Sequence, residues 1–312
     1  MKIGFRAACG IGVSMLVMLT AAGAHTQAQE FVNNFKYNRG QSIQPIFEGW
    51  SWAPDRSVNM HFGYLNRNYA EQPEVVVGPS NRIEPGGPDR GQPTFFYART
   101  NRNLFTVNVP ATWGPREELV WTVTFNGRTE RAVGWRQPEW EIDPVGGASG
   151  GGNTSAERVA NKAPTITVAL PAPAQVSTAV ALVGAIIDDG LPEPRPRPKP
   201  AVGQETPPTL QGGTTAPVNV PLIASREAAP APGAAGARPL GMVVTWAVWR
   251  GPADVRFEPR YAVPAAGRTE TTARFTVPGD YILRATADDG AATGDTRVTI
   301  KVAGGPPKAG LR

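Results

Sequence analysis

The chain of 312 residues contains one cysteine, Cys9, and two histidines, His25 and His61. Cys9 lies in an amino-terminal segment that reads as removable, so the remainder has no thiol. It can form no disulfide, offers no cysteine nucleophile and cannot build a thiolate metal site. Zinc sites draw on several His or Cys ligands, and that supply is missing too. Charge is sparse: charged residues are 18% of the chain and the formal net charge is +5. No Lys/Arg run reads as a nucleic-acid stripe, since Arg195-Pro-Arg197-Pro-Lys199 is a proline-spaced cluster in a tail-like stretch. Past the amino terminus, no apolar run approaches the ~20 residues that a membrane helix needs. Stability must therefore come from buried apolar surface, and the chain is long enough for two domains of ordinary size.

Met1–Ala24 has the three-part build of a secretory signal. Lys2 and Arg6 form the charged start, Ile11–Thr20 the apolar middle, and Ala22-Gly23-Ala24 a small-residue cleavage site, with Thr26-Gln27-Ala28 as a second candidate. The alternative is an uncleaved anchor helix over Ala7–Ala24, which Gly10, Gly12 and Ser14 weaken. Cleavage removes Lys2 and Arg6 and lowers the formal charge from +5 to about +3. The expected location is the periplasm, the outer surface or the medium of a bacterial envelope.

Proline (32) and glycine (35) are abundant, and their placement marks boundaries. Pro144–Lys162, with VGGASGGGNTS inside it, reads as a flexible linker between two modules. Leu191–Leu240 is rich in proline and alanine and nearly free of aromatics, the composition of a disordered or polyproline-like insertion. Ahead of the linker, residues 38–143 carry strand periodicity. Val58, Met60, Phe62 and Tyr64 alternate with polar residues, as do Phe105, Val107 and Val109. Leu119–Phe125 and Arg128–Trp135 flank Asn126-Gly127, the favoured two-residue hairpin turn, because both turn positions need positive φ. These signals predict a small antiparallel sandwich of about six to eight strands. Glu84–Pro93 interrupts it, either as a rigid crossover between sheets or as a structured binding loop.

Residues 241–302 read as four or five further strands, alternating in GMVVTWAVWRGPADVRF, TTARFTVPGDYILRATADDG and DTRVTIKV. Taken with Ala163–Val168 and Ala181–Pro192, this half resembles the polycystic-kidney-disease (PKD) type of Ig-like domain of secreted bacterial proteins, over residues 163–302. The resemblance implies a seven-stranded sandwich used as a spacer or adhesion module, with Trp246 in its core. It departs from the pattern by carrying the 191–240 insertion, which as an enlarged surface loop costs little closure entropy. Glu48-Gly-Trp50, His61–Asn68 and Glu84–Pro93 resemble an uncharacterised secreted bacterial β module, which implies no activity. The expected fold class is thus all-β: two antiparallel Ig-like β-sandwich modules, a Gly-rich linker and a disordered Pro-rich insertion.

Candidate chemistry is thin. His61 lies on the polar side of its strand with no GxSxG elbow in the chain, and reads as a solvated strand histidine. Asp188-Asp189-Gly190 and Asp288-Asp289-Gly290 end strands that the resemblance places on one rim. Asp and Gly there serve as turn chemistry. The alternative is a weak calcium site formed by Asp188, Asp189, Asp288 and Asp289 with Asp295. Trp50 and Trp52, two apart on one strand face, are either core or an outward platform for a sugar ring. Glu117-Glu118 and Glu139/Glu141 are poor candidates for a glycosidase pair, since strand neighbours face opposite ways. The expectation is a non-catalytic exported binding or spacer protein whose partner is a protein or glycan of the cell envelope, with no cofactor beyond possible calcium. The alternatives are a carbohydrate-binding protein and, third, a hydrolase with an unrecognised carboxylate site.

Overall fold

In a computed structural model, residues 36–142, 156–169, 173–193 and 239–304 are described. The segment 1–24 that reads as a signal, most of the expected linker and residues 194–238 of the expected insertion lie outside the described residues. Period-two alternation becomes facing sheets that are antiparallel except where β8 pairs in parallel with β14, so the all-β expectation holds. The described residues from Asn38 onward belong to one compact unit.

The first sandwich pairs two three-stranded sheets. Strands β1 (Ile43–Trp52), β2 (Val58–Asn66) and β4 (Arg99–Val109) form one. Strands β3 (Asn81–Glu84), β5 (Leu119–Phe125) and β6 (Arg128–Gly134) form the other. Val58, Met60, Phe62 and Tyr64 of β2, Phe105, Val107 and Val109 of β4, and Leu119, Trp121 and Val123 of β5 are buried, and Phe125 at the end of β5 is half-buried. Trp121 is at the centre, fully enclosed, with its Nε1 donating to Asn81 Oδ1 at 2.9 Å and the rings of Phe62 and Phe105 set edge-on to it. Truncating such a side chain costs about 3–5 kcal/mol, because neither its transfer energy nor the cavity is recovered. The β5–β6 turn is the predicted one: Asn126 and Gly127 have φ of 49° and 70°, and Phe125 faces Arg128 across it.

Among the described residues the second sandwich has eight strands: β7 (Thr165–Val168), β8 (Ala174–Gln175), β9 (Ala179–Ile187), β10 (Val243–Arg250), β11 (Val255–Glu258), β12 (Arg268–Phe275), β13 (Gly279–Asp288) and β14 (Thr293–Ala303). Its sheets run β11-β12-β9-β7 and β10-β13-β14-β8. That is the connectivity of an immunoglobulin sandwich, with β9 and β12 central in one sheet and β13 and β14 in the other. Trp246 on β10 is buried as expected, and Leu182, Phe275, Tyr281 and Leu283 complete a core that no disulfide supports. The Tyr281 hydroxyl, near the start of β13, donates to the Val277 carbonyl at 2.9 Å, the tyrosine corner of this fold. A short helix, α1 (Ala156–Ala160), occupies part of the stretch that composition assigns to linker.

Candidate functional site

The densest polar geometry outside the cores is where the two sandwiches meet. Strand β10 carries a β-bulge: Val248 pairs with Leu283 and Arg250 with Ile282, leaving Trp249 as the extra residue. A bulge re-aims a side chain. Here the Trp249 indole leaves its own sandwich and is buried in the core of the first, edge-on to Phe105 at 6.1 Å. Its carbonyl accepts the Thr94 amide at 3.0 Å and the Phe95 amide at 3.4 Å, and its Nε1 donates to the Gly91 carbonyl at 3.1 Å. In return Phe95 is buried in the second core, against Tyr97 at 5.0 Å. The Tyr97 hydroxyl accepts the Val248 amide at 2.8 Å and donates to Asp254 at 3.4 Å. Burial pushes both Tyr97 and Asp254 upward, towards their neutral forms.

Charged groups close the seam. Arg250 grips Asp89 with both terminal nitrogens, at 2.9 and 2.7 Å, and its Nε donates to the Gln92 carbonyl at 3.0 Å. Those hydrogen bonds hold the Asp89 carboxyl down to about 2. Arg284 donates to the Leu104 carbonyl at 2.5 Å and to Asp295 Oδ1 at 3.0 Å. Arg284 and Arg297 sit directly opposite each other on β13 and β14, with guanidinium carbons 5.1 and 4.1 Å from the centroid of the Trp249 ring. The Glu84–Pro93 segment, left open between crossover and binding loop, therefore supplies Asp89, Gly91 and Gln92 to a contact within its own chain.

The aspartates singled out earlier are distributed differently. Asp188 and Asp189 are exposed after β9, whereas Asp288 and Asp289 are buried at the end of β13. Most of their hydrogen bonds go to the backbone of their own turns. Asp188 accepts the Gly190 amide at 3.0 Å, Asp189 the Leu191 amide at 3.0 Å, and Asp288 the Gly290 amide at 2.8 Å. Asp289 Oδ1 takes the Ala291 and Ala292 amides at 2.6 and 2.7 Å, and its other oxygen takes the Asn161 side chain at 3.0 Å. Burial, with the charges of Asp289 and Asp189 adding, raises Asp188. Asp295 is engaged by Arg284 instead. Among the described residues, no group of three or more His, Cys, Asp or Glu side chains is arranged to hold a metal ion.

Trp50 and Trp52 do share a strand face but separate in burial. Trp50 is 5% exposed, with its Nε1 donating to the Gln137 carbonyl at 2.7 Å, while Trp52 is 44% exposed at the end of β1. Their rings meet edge-on at 5.5 Å, so they offer no common plane, and the Arg136 guanidinium lies 5.1 Å from the Trp52 ring centroid. Trp140 is also 45% exposed and stacks on Phe47 at 5.6 Å. His61 is not the solvated residue expected. Its Nε2 is 2.8 Å from Ser51 Oγ and its Nδ1 is 3.4 Å from Thr106 Oγ1, and burial lowers its pKa. A hydroxyl stands where a catalytic triad needs a carboxylate. Glu117, Glu118, Glu139 and Glu141 are all exposed, and Glu117 accepts the Gly114 amide at 3.0 Å.

No protein-family model matches the chain, and no curated protein matches it. Among solved structures it is similar to the titin domains Z1Z2 in complex with telethonin, at 9% identity, covering 85% of this chain and 100% of that one, with a TM-score of 0.23. It is also similar to domains 4 and 5 of the S-layer protein SbsC, at 10% identity, covering 63% and 69%, with a TM-score of 0.23. Among the described residues, no helix is long and apolar enough to cross a membrane.

Proposed function

We propose that the chain is a non-catalytic exported protein of a bacterial envelope that binds or spaces other components. In this reading its second sandwich is a PKD-type module and its first a partner sandwich held at a set angle. The observation that carries this is the exchange of Trp249 and Phe95 between the two cores. A hinge between modules would tear a buried indole and a buried phenyl out of apolar surroundings, at roughly 3–5 kcal/mol each. A pair locked in this way is suited to holding attached partners at a fixed separation. The test is expression of the full chain with a carboxy-terminal tag, followed by fractionation and amino-terminal sequencing. A mature protein beginning after Ala24 or Ala28, in the periplasmic or surface fraction and pulling down envelope material, supports the reading. Full-length protein retained in the cytoplasm overturns it.

A second reading, carbohydrate binding, is favoured by one observation: the exposed indole of Trp52 beside the Arg136 cation. A glycan and cell-wall pull-down with the full chain, with and without calcium, checks it. Trp52→Ala abolishes binding if the reading holds; binding undiminished in that variant removes it.

A further inference from the structure

We propose that the seam between the sandwiches is an oxyanion-binding site, with Arg297 as its principal ligand and Arg250 and Arg284 at its sides. The observation behind this is an imbalance of charge. Three guanidinium groups converge where Trp249 crosses between modules, and two carboxylates answer them: Asp89 holds Arg250 and Asp295 holds Arg284. Among the described residues, no carboxylate is within ion-pair distance of Arg297. It donates a long hydrogen bond, 3.4 Å, to the Gly91 carbonyl. Like charges directly opposite on paired strands oppose each other, and Arg284 and Arg297 are such a pair. Partial burial of the guanidinium, with the charges of Arg284 and Arg250, depresses Arg297 below the ordinary arginine range, and the nearby charges of Asp295 and Asp89 offset this only in part. A neutral contact would not call for a second cation over the same ring. An anion would relieve the repulsion, and a guanidinium stacked on an indole still presents its N–H edge to a partner.

Arginine forks match the paired oxygens of phosphate, sulfate or carboxylate, and Arg297 remains exposed to receive one. The site thus fits an oxyanion, free or carried on an acidic envelope polymer. It adds a ligand chemistry to the binding-or-spacing reading without depending on where the protein resides.

The experiment uses the full chain at constant ionic strength, comparing inorganic phosphate, inorganic sulfate and oligogalacturonate against chloride by thermal unfolding and calorimetry. A saturable rise in Tm of about 2–4 °C is expected with at least one probe. A stronger response to oligogalacturonate than to phosphate assigns a carboxylated glycan as the source, and the reverse order assigns phosphate. Arg297→Gln weakens the apparent affinity at least tenfold while leaving Tm in chloride equal to or above that of the parent, because the repulsion is relieved. Arg297→Lys keeps the charge, loses the fork and binds with intermediate affinity. If Arg297 is only a lid on Trp249, Arg297→Gln lowers Tm equally in every salt and the anion response is the same in both proteins. That result overturns the proposal, as does the absence of any response to all three probes.

Discussion

Replacing Trp249 by alanine should destabilise the sandwich to which Trp249 does not belong. The side chain is 2% exposed and lies against Phe105 in the first core, under Arg284 and Arg297. Truncation of a buried tryptophan costs about 3–5 kcal/mol from lost transfer energy and the residual cavity. The edge-on ring pair and the two cation contacts lie within that figure, since such terms are not additive. At ~1.4 kcal/mol per factor of ten, amides of β4 and β5 should exchange about a hundred to a few thousand times faster. Hydrogen exchange read by mass spectrometry over peptides spanning 99–125 measures this directly, while β13 and β14 serve as the internal comparison. If acceleration is confined to the second sandwich and β4 and β5 keep their protection, Trp249 is not a structural member of the first core. The reciprocal change, Phe95→Ala, should accelerate exchange in the second sandwich for the same reason.

The remaining predictions concern charge and the tyrosine corner. Asp89 is depressed to about 2 by Arg250, with Arg297 also facing it, so its contribution is complete above its ordinary value near 4 and is lost as pH falls from there towards 2. Because Asp89 is half exposed, the effect should be on the order of 1 kcal/mol; in urea titrations the gap between the parent and Asp89→Asn should be full at pH 6 and shrink to about a third of that at pH 2.5. His61, lowered by burial, acts in the same direction at higher pH: the folded state loses stability as pH falls below ~6.5, and His61→Gln should flatten that slope between pH 7 and pH 5. Tyr281→Phe removes one hydrogen bond to the Val277 carbonyl and should cost about 1 kcal/mol by urea denaturation, whereas an unchanged midpoint would mean the corner contributes nothing. The paired Asp-Asp-Gly turns act as backbone caps, so millimolar calcium should leave the Tm where it is; a saturable rise that vanishes in Asp289→Asn would assign a metal site instead.

Much of the architecture could be read from local pattern. Leu119, Trp121 and Val123 occupy one face of a strand because side chains alternate, and Asn126-Gly127 turns the chain because both residues tolerate positive φ. Trp246 and Tyr281 occupy core positions that the strand order of the second half requires. The seam was less accessible. Val248 and Trp249 are adjacent apolar residues, a break in alternation that signals a bulge, but period alone does not say into which core the extra indole goes. Phe95, Phe96 and Tyr97 show the same limit. The first is buried in the second sandwich, the next in the first sandwich, and the third bridges them.

Identical short motifs also diverged. Asp189 and Asp289 both precede glycine after a strand, yet one is exposed and the other buried. Trp50 and Trp52 share a face, yet only the first is covered, because the Gln137–Ile142 segment returns alongside β1 and takes its hydrogen bonds. Taken alone, the amino-acid order determined which side of each strand is apolar, where the turns fall, and that no thiol chemistry operates beyond Cys9. Only the tertiary structure decided which apolar faces meet across the two sandwiches and which arginines crowd one ring. The reason is physical: dihedral preference and alternation act over a few residues, whereas burial and Coulomb repulsion depend on groups far apart in the chain.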